Sequence, residues 1–344
     1  MSLPRQLAMR VTGADLFAPA FRTVGHGLIT IFTLHRFADP EHGVVGHDPA
    51  GLREQLAYLR RHRYRLLSLT DVIDELDADA PTSSVPGVVF TVDDGYGDFA
   101  RVGAPVFAEY DCPVTLFVPT GFVDGQLWLW WDQVTHLFQQ TRRSSCPDPR
   151  LEKRPYQWST PGELARVQDE VLSRLEYVEA SQRSAAIAVL SRALDVELPA
   201  SPPPAFGPIS WDDVRRTAER GVTFGPHTVT HPILTLTSDE TCRWEIEESY
   251  RRLRQETSAA VPVFCYPAGA AKRRELEAVR RAGLRAAVTT TPGYAAPHGI
   301  REWGALRRFA LPRFPTAEDR PHLVNVVAGL ARLRTRIRRP RPRA

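Results

Sequence analysis

Apolar and polar positions in this chain alternate between short uninterrupted apolar runs and longer stretches with helical spacing. The run from Gly27 to Phe37, GLITIFTLHRF, is rich in β-branched residues and predicts a buried strand that ends near His35. The next stretch begins at Asp48, a favourable N-cap, and repeats its leucines at helical intervals. Runs such as GVVFTV and PVTLFVP continue the alternation. Since strands covered on both faces look uniformly apolar, the pattern predicts an α/β fold with a parallel sheet or barrel.

The alternation is interrupted at about residues 133–205, where long polar helical patterns precede the proline-rich stretch SPPPAFGP. We interpret this region as a helical insertion within one catalytic domain of residues 26–320. Residues 1–25 then form an N-terminal segment, and residues 321–344 form a basic amphipathic C-terminal tail. A chain of 344 residues, 43% of them apolar, can build one large domain of this kind.

Composition and charge exclude several classes of protein. Charged residues make up 24% of the chain and are interspersed, which indicates neither disorder nor nucleic-acid binding. The net charge of +4 includes seven arginines after position 331, so the remainder is mildly acidic, at −3. The four cysteines lie far apart without a CxxC pair, which argues against a zinc-cysteine site and a disulfide framework.

The two ends of the chain bear on its location. The N-terminus lacks the continuous apolar region of a signal peptide, and GLITIFTL is too short to span a bilayer, so we expect a cytoplasmic protein. The tail places Leu323, Val327, Leu330 and Leu333 at helical intervals beside arginines. Such a helix could make a peripheral contact with an anionic membrane. A solvated basic end and a helix docked on the body are the open alternatives.

The stretch FTVDDGYGDF, residues 90–99, places two carboxylates at the end of an apolar run. Adjacent side chains of a strand point to opposite faces, so Asp93 and Asp94 converge only where the strand ends and the backbone turns. Gly95 permits that turn. A pair at the carboxyl end of a parallel strand occupies the usual place of an active site. A surface turn whose aspartates only cap the next helix remains the alternative.

A second stretch, GPHTVTHPIL, supplies His227 and His231. Flanking prolines and intervening β-branched residues favour a strand-to-loop turn over a helix, and the HExxH pattern of zinc proteases is absent. Alone, the pair could be hydrogen-bonded loop residues. Together with an aspartate they complete a set of two imidazoles and one carboxylate, which suits a metal that activates water.

These motifs resemble those of the polysaccharide deacetylase family, the carbohydrate esterases with NodB homology. The resemblance rests on TVDDG, HTVTHP, FCYPAG and TLHRF, in an arrangement similar to the branch that acts on exopolysaccharides and poly-N-acetylglucosamine. It extends from about Gly27 to Pro315 and is interrupted by the insertion. The resemblance implies a distorted (β/α) barrel and a metal-dependent hydrolase that removes N-acetyl groups.

The resemblance also implies residue roles. Asp94, His227 and His231 match the metal ligands of the family, for one divalent ion with zinc as the usual choice, although oxygen and nitrogen ligands suit other ions too. Asp93 matches the general base. His35 is the candidate acid for the departing amine, with a packed strand-end histidine as the alternative. The expected activity therefore rises as Asp93 ionises and falls as His35 loses its proton.

The third motif departs from the family pattern. The backbone N–H after Pro267, that of Ala268, matches the oxyanion donor, but alanine replaces the usual aromatic residue. The motif also often carries an arginine that holds the base, and the residues around Cys265 offer none. Arg313 in LPRF is a candidate that could reach the base from a later strand.

Aromatic residues cluster in LWLWWDQ, which contains Trp128, Trp130 and Trp131. Indole faces stack on the apolar faces of sugar rings, so Trp130 and Trp131 are candidates for a saccharide platform, with core packing as the alternative.

The leading hypothesis is therefore metal-dependent hydrolysis of N-acetyl groups on a bacterial polysaccharide or its lipid-linked precursor. The expected partner is a glycan, with no nucleic acid, and the sequence gives no oligomeric state. Two other hypotheses stay open: an inactive relative that binds saccharide, and a hydrolase of a non-sugar amide on the same fold.

Overall fold

The structure, a computed structural model, describes residues 27–78, 83–150, 154–295 and 304–329. The expected N-terminal segment, residues 1–25, lies outside this part. The strands are β1 (Ile29–Leu34), β2 (Arg65–Leu66), β3 (Gly87–Val92), β4 (Val114–Val118), β5 (Ser145–Cys146), β6 (Tyr156–Gln157), β7 (Val222–Pro226), β8 (Val263–Cys265), β9 (Ala286–Val288) and β10 (Phe314–Pro315). The α-helices are α1 (Pro49–Arg61), α2 (Leu69–Asp77), α3 (Ala104–Glu109), α4 (Thr120–Val123), α5 (Trp130–Gln140), α6 (Pro161–Glu176), α7 (Ala180–Leu194), α8 (Trp211–Ala218), α9 (Asp239–Glu256), α10 (Arg273–Arg281) and α11 (Arg320–Val327).

Six strands form one parallel sheet in the order β10, β1, β3, β4, β7, with β2 added beside β3. The helical segments between successive strands provide the crossovers that a parallel sheet requires. The predicted α/β class with a parallel sheet is therefore confirmed.

The remaining parallel pair, β8 and β9, is joined to the main sheet by isolated bridges. Phe224 of β7 bridges to Ala260, just before β8, and Val288 of β9 bridges to Leu311, just before β10. The strands thus follow one another around a curved arrangement. In the described ranges its ladders are not continuous, so the barrel expected from the resemblance is not closed by hydrogen bonding alone.

The core lies on both faces of the sheet. Along β1, Ile29 and Ile31 pack into one apolar cluster, whereas Phe32 and Leu34 pack into another. Successive strand residues point to opposite faces, so a strand covered on both sides needs apolar residues at nearly every position. This packing explains the uninterrupted apolar runs, and it leaves the carboxyl ends of the strands as the place where polar side chains can meet.

Helices α5, α6 and α7, together with the short β5–β6 hairpin, have an apolar cluster of their own. Leu137, Val171 and Leu190 are fully buried within it. Helix α6 begins with a capping box, in which Thr160 and Glu163 satisfy each other's backbone N–H groups. These elements occupy the region interpreted as a helical insertion, starting at Trp130.

Helix α11, at the start of the predicted C-terminal tail, docks on the body of the protein. Leu323 and Val327 are fully buried in the same cluster as Leu52 of α1. Residues 330–344, which carry most of the tail arginines and the predicted membrane contact, lie outside the described residues. No helix in the described ranges is both long enough and apolar enough to cross a membrane.

Candidate metal centre and catalytic site

Most of the predicted site residues meet at the carboxyl ends of the strands, around one cavity of about 320 Å³. The lining side chains include eight of them: His35, Asp93, Asp94, Trp130, Trp131, His227, His231 and Ala268. Pro267 is buried next to Ala268, and Arg313 is buried beneath Asp93.

A tight turn after β3 directs both aspartates into this cavity. Asp94 and Gly95 adopt left-handed backbone conformations, with φ of 72° and 69°. This conformation is unfavourable for a residue with a side chain, and such strain concentrates at functional sites. A Cβ atom at Gly95 would lie 3.0 Å from Cγ1 of Val118, so glycine also fits the space. The turn that the glycine predicted is therefore present, and both carboxylates are buried.

Three ligand atoms converge on one point of the cavity. Nε2 of His227 lies 3.1 Å from Nε2 of His231, and Oδ1 of Asp94 lies 3.4 Å and 3.5 Å from these two atoms. Ligand atoms about 2.0–2.1 Å from a tetrahedral metal would stand about 3.3 Å apart. The spacing of the two imidazoles and the carboxylate therefore fits a divalent metal ion.

The histidines follow β7 directly, in the strand-to-loop turn that their sequence context predicted. Nδ1 of His227 lies 2.8 Å from the carbonyl oxygen of Cys265. Donation to this carbonyl places the ring proton on Nδ1 and leaves Nε2 free to bind a metal. Thr228 and His231 have left-handed φ values of 67° and 57°, so the loop is held in a strained shape.

Glu245, which no sequence pattern singles out, holds this loop. Its side chain is buried on α9, and Oε2 accepts hydrogen bonds from the backbone N–H groups of Val229 (2.7 Å) and Thr230 (3.0 Å). Oε1 accepts from the Thr230 hydroxyl. A charged acceptor with several donors is a strong anchor, so Glu245 fixes the segment between the two histidines.

Asp94 has the negative charge that a metal ligand needs. Burial would raise the pKa of Asp94, but hydrogen bonds with His227 and His231 hold that pKa well below its usual value. Asp94 is therefore ionised, as a metal ligand must be.

Asp93 is held by Arg313 from the segment before β10. Nη1 and Nη2 of Arg313 donate to Oδ1 and Oδ2 of Asp93 at 2.7 Å and 2.6 Å. The arginine is fully buried, and it also donates to the Thr289 carbonyl and the Thr91 hydroxyl. Burial would raise the pKa of Asp93, but the guanidinium lowers it to about 2. Arg313 thus makes the contact with Asp93 for which the segment LPRF made it a candidate.

Asp93, His227 and Cys265 form a second group with metal-ligating atoms close together. Its groups already have partners: Asp93 pairs with Arg313, and Nδ1 of His227 contacts the Cys265 carbonyl. Burial also raises the pKa of the Cys265 thiol, which disfavours the thiolate that binds metals. The first triad is therefore the better metal site.

The remaining predicted catalytic groups lie on the rim of the cavity. The His35 side chain is exposed there, at the end of β1. Ala268 adopts a left-handed conformation, with φ of 54°, directly after Pro267. This unfavourable conformation turns the backbone at the cavity wall, where the resemblance implied an oxyanion donor.

Two of the three tryptophans line the cavity, and the third lies outside it. Trp131 packs edge-on against His231, with ring centroids 4.8 Å apart, and its Nε1 donates to the Tyr96 hydroxyl at 2.8 Å. Trp130 lines the cavity beside it. Trp128 instead packs against Phe206, outside the lining. The sequence marked the cluster of tryptophans but could not distinguish these environments.

The comparison with family models covers two of the four motifs, HTVTHP and FCYPAG. The polysaccharide deacetylase family model matches residues 172–287, which include both histidines of the triad and Ala268. No curated protein matches the sequence of this chain. The resemblance to the polysaccharide deacetylases is thus confirmed, and it supports a hydrolase of the deacetylase class.

Solved structures share the fold at low sequence identity. Streptococcus pyogenes deacetylase PplD, solved in complex with acetate, is 17% identical, with a TM-score of 0.56 over 88% of this chain and 99% of that chain. IcaB from Ammonifex degensii is 15% identical, with a TM-score of 0.55 over 88% and 97%. BC0361, a polysaccharide deacetylase from Bacillus cereus, is 13% identical, with a TM-score of 0.55 over 88% and 69%.

Proposed function

Because this chain resembles the polysaccharide deacetylases in sequence and fold, we propose that it is a metal-dependent hydrolase that removes N-acetyl groups from a bacterial polysaccharide or its lipid-linked precursor. The convergence of Nε2 of His227, Nε2 of His231 and Oδ1 of Asp94, within 3.1–3.5 Å of one another, carries this proposal. Asp93, a second and separately held carboxylate, stands beside them.

Asp94, His227 and His231 would hold the ion, with zinc favoured by the nitrogen and oxygen ligands. When bound, the ion supplies Lewis acidity that polarises the amide carbonyl and acidifies water. The chain itself positions the other groups. Glu245 and the Cys265 carbonyl keep the two imidazoles oriented, and Arg313 fixes both oxygens of Asp93.

Asp93 is the base in this proposal. It takes a proton from the water whose oxygen forms a bond with the acetyl carbonyl carbon. The backbone N–H of Ala268 donates to the oxyanion that develops. His35 then gives a proton to the amine nitrogen as the C–N bond breaks, so acetate and a free amino sugar leave. Trp130 and Trp131 offer aromatic faces for the sugar ring.

The test pairs metal content with acetate release. Elemental mass spectrometry should find about one metal per chain in the wild type, since one triad is formed. His227→Ala should lose both the metal and the release of acetate from N-acetylglucosamine oligosaccharides. His42→Ala, which removes a histidine that pairs with Asp39 outside the cavity, is the matched control and should keep both.

The outcomes also separate the alternatives. A protein that binds no metal after reconstitution, yet binds the oligosaccharides, would be an inactive saccharide-binding relative. A metal-loaded protein that releases acetate only from non-sugar amides would be a different hydrolase on this fold.

A further inference from the structure

The helical insertion forms part of the wall of the catalytic cavity. Leu172, Ser173 and Glu176 of α6 and Arg183 of α7 line the same cavity as the metal triad. None of the catalytic motifs lies in these two helices. The insertion therefore contributes surface that the substrate meets, in addition to its own apolar cluster.

Arg183 is an unusual part of this wall because it is a buried cation without a counterion. Its side chain is 93% buried. Nη2 donates to the carbonyl oxygens of Val178 at 2.6 Å and Glu176 at 3.5 Å, and Nε is buried with no hydrogen-bond partner. The guanidinium carbon lies 4.7 Å from the ring centroid of Trp130. No carboxylate of a described residue forms an ion pair with Arg183.

These contacts satisfy only part of the hydrogen-bonding capacity and charge of the guanidinium. A buried charge is unfavourable unless it is paired and hydrogen-bonded, and the carbonyl bonds and the indole face offset that cost only partly. Burial lowers the pKa of Arg183, while Glu179 and Glu176 counteract this by attraction at longer range. An anion entering the cavity would supply the missing partner.

We propose that Arg183, beside Trp130, forms a subsite for an acidic group on the saccharide substrate. The Glu176 carboxylate lines the same wall and repels additional negative charge, so the subsite suits a singly charged group, a carboxylate or a phosphodiester. The planar guanidinium suits both groups because its donors match two oxygens at once. This inference rests on the proposed function, since it places the acidic group near the sugar that loses its acetyl group.

The test measures binding to the metal-loaded protein without relying on hydrolysis. The probes are a glucuronate-containing tetrasaccharide without N-acetyl groups and the same compound with its carboxyls reduced to neutral hydroxymethyl groups. The wild type should bind the acidic compound about tenfold more tightly, as expected for one charge-assisted contact. A third probe carries one phosphodiester in place of the carboxyl and tells the two acidic groups apart.

Arg183→Gln should abolish the preference. Arg192→Gln, which removes an exposed arginine from the same helix, should keep it. Arg183→Lys retains the charge and should retain part of the preference for the acidic compound. An unchanged preference in Arg183→Gln, with normal metal content and thermal stability, would overturn the proposal.

If Arg183→Gln does not fold, binding to the wild type still tests the proposal. Equal affinities of the wild type for the acidic and neutral compounds would overturn it. Absence of acetate release from every N-acetylated compound, together with a preserved preference, would instead reject only the deacetylase function.

Discussion

Two neighbouring aspartates receive different roles from their surroundings. Asp93 is paired in bidentate fashion with the fully buried Arg313, whereas Asp94 faces two imidazoles. The left-handed turn at Asp94 lets both carboxylates enter one cavity although they are adjacent in the chain. In the proposed function, the same residue type thus provides a fixed base in one position and a metal ligand in the next.

The ionisation of Asp93 should not set the acidic limb of the activity profile. The sequence led us to expect that activity rises as Asp93 ionises, but pairing with Arg313 lowers its pKa to about 2. Asp93 therefore stays ionised at any pH where the protein is assayed, and the limb should reflect protonation of the metal ligands. Measurements of kcat/KM against pH should show the limb moving to lower pH as zinc is increased. A limb that zinc does not move would contradict this account.

The same lowered pKa makes a contribution to stability. The folded-state pKa lies below the usual aspartate value of 3.8, so the contribution is complete above about pH 4 and is lost as the pH falls through about 2. Its size is of the order of 2 kcal/mol. Urea unfolding of the wild type between pH 6 and 2 should therefore show a decline in the free energy of unfolding that continues below pH 4. If Asp93 titrated normally, its part of this decline would be absent, and Asp94, whose pKa is also lowered, would contribute the remainder.

Arg313→Lys should impair catalysis while leaving the metal bound. Lysine keeps the charge but cannot hold both oxygens of Asp93, so the base loses its orientation. A misplacement of this kind costs about a hundredfold in kcat/KM. Arg285→Lys, at an exposed ion pair with Asp77, is the control and should change kcat/KM little. Loss of metal in Arg313→Lys, or near-normal activity, would contradict a positioning role.

At the scale of elements, sequence patterns predicted the strands and turns that carry the site but missed the helices that support it. The turn after Asp93 follows an apolar run, and the turn at His227 is flanked by prolines. Both signals are local in the sequence, so both turns were predictable. Glu245 looks like any acidic residue of a helix, because its importance arises only where α9 meets the loop after β7. The sequence does not distinguish Arg183 either, because helical periodicity does not reveal that the insertion reaches the cavity.

Glu245→Gln should weaken metal binding without removing a ligand. The amide oxygen can still accept hydrogen bonds from the backbone N–H groups of Val229 and Thr230, but the charge that strengthens these bonds is lost, so the anchor of the loop between the histidines weakens. Changes to groups that orient ligands typically reduce metal affinity about 10- to 100-fold. Competition with a chelator would measure the zinc Kd. Glu248→Gln, at an ion pair with Arg251 on the same helix, should leave the Kd unchanged. Equal Kd values for both variants would show that metal binding does not need the contacts of Glu245 with the loop between the histidines.

At the scale of the whole molecule, the metal site links parts of the chain that are far apart in sequence. Asp94 follows β3, and the histidines follow β7, more than a hundred residues later. The sequence predicted that these residues share the carboxyl edge of one parallel sheet, because parallel strands present their ends at the same side. It could name Arg313 only as a candidate to reach Asp93 from a later strand, since that contact depends on how the curved sheet brings its ends together.

Metal binding should therefore stabilise the entire fold. A ligand that binds only the folded state adds RT ln(1 + [L]/Kd), about 4 kcal/mol at a thousandfold excess over Kd. We expect zinc to raise the midpoint of thermal unfolding of the wild type and a chelator to reverse the shift. Asp94→Asn and His231→Ala should lose the shift, because each removes one of the three ligand atoms, whereas His42→Ala should keep it. An equal shift in Asp94→Asn would place the zinc elsewhere on the protein and remove the basis for the triad.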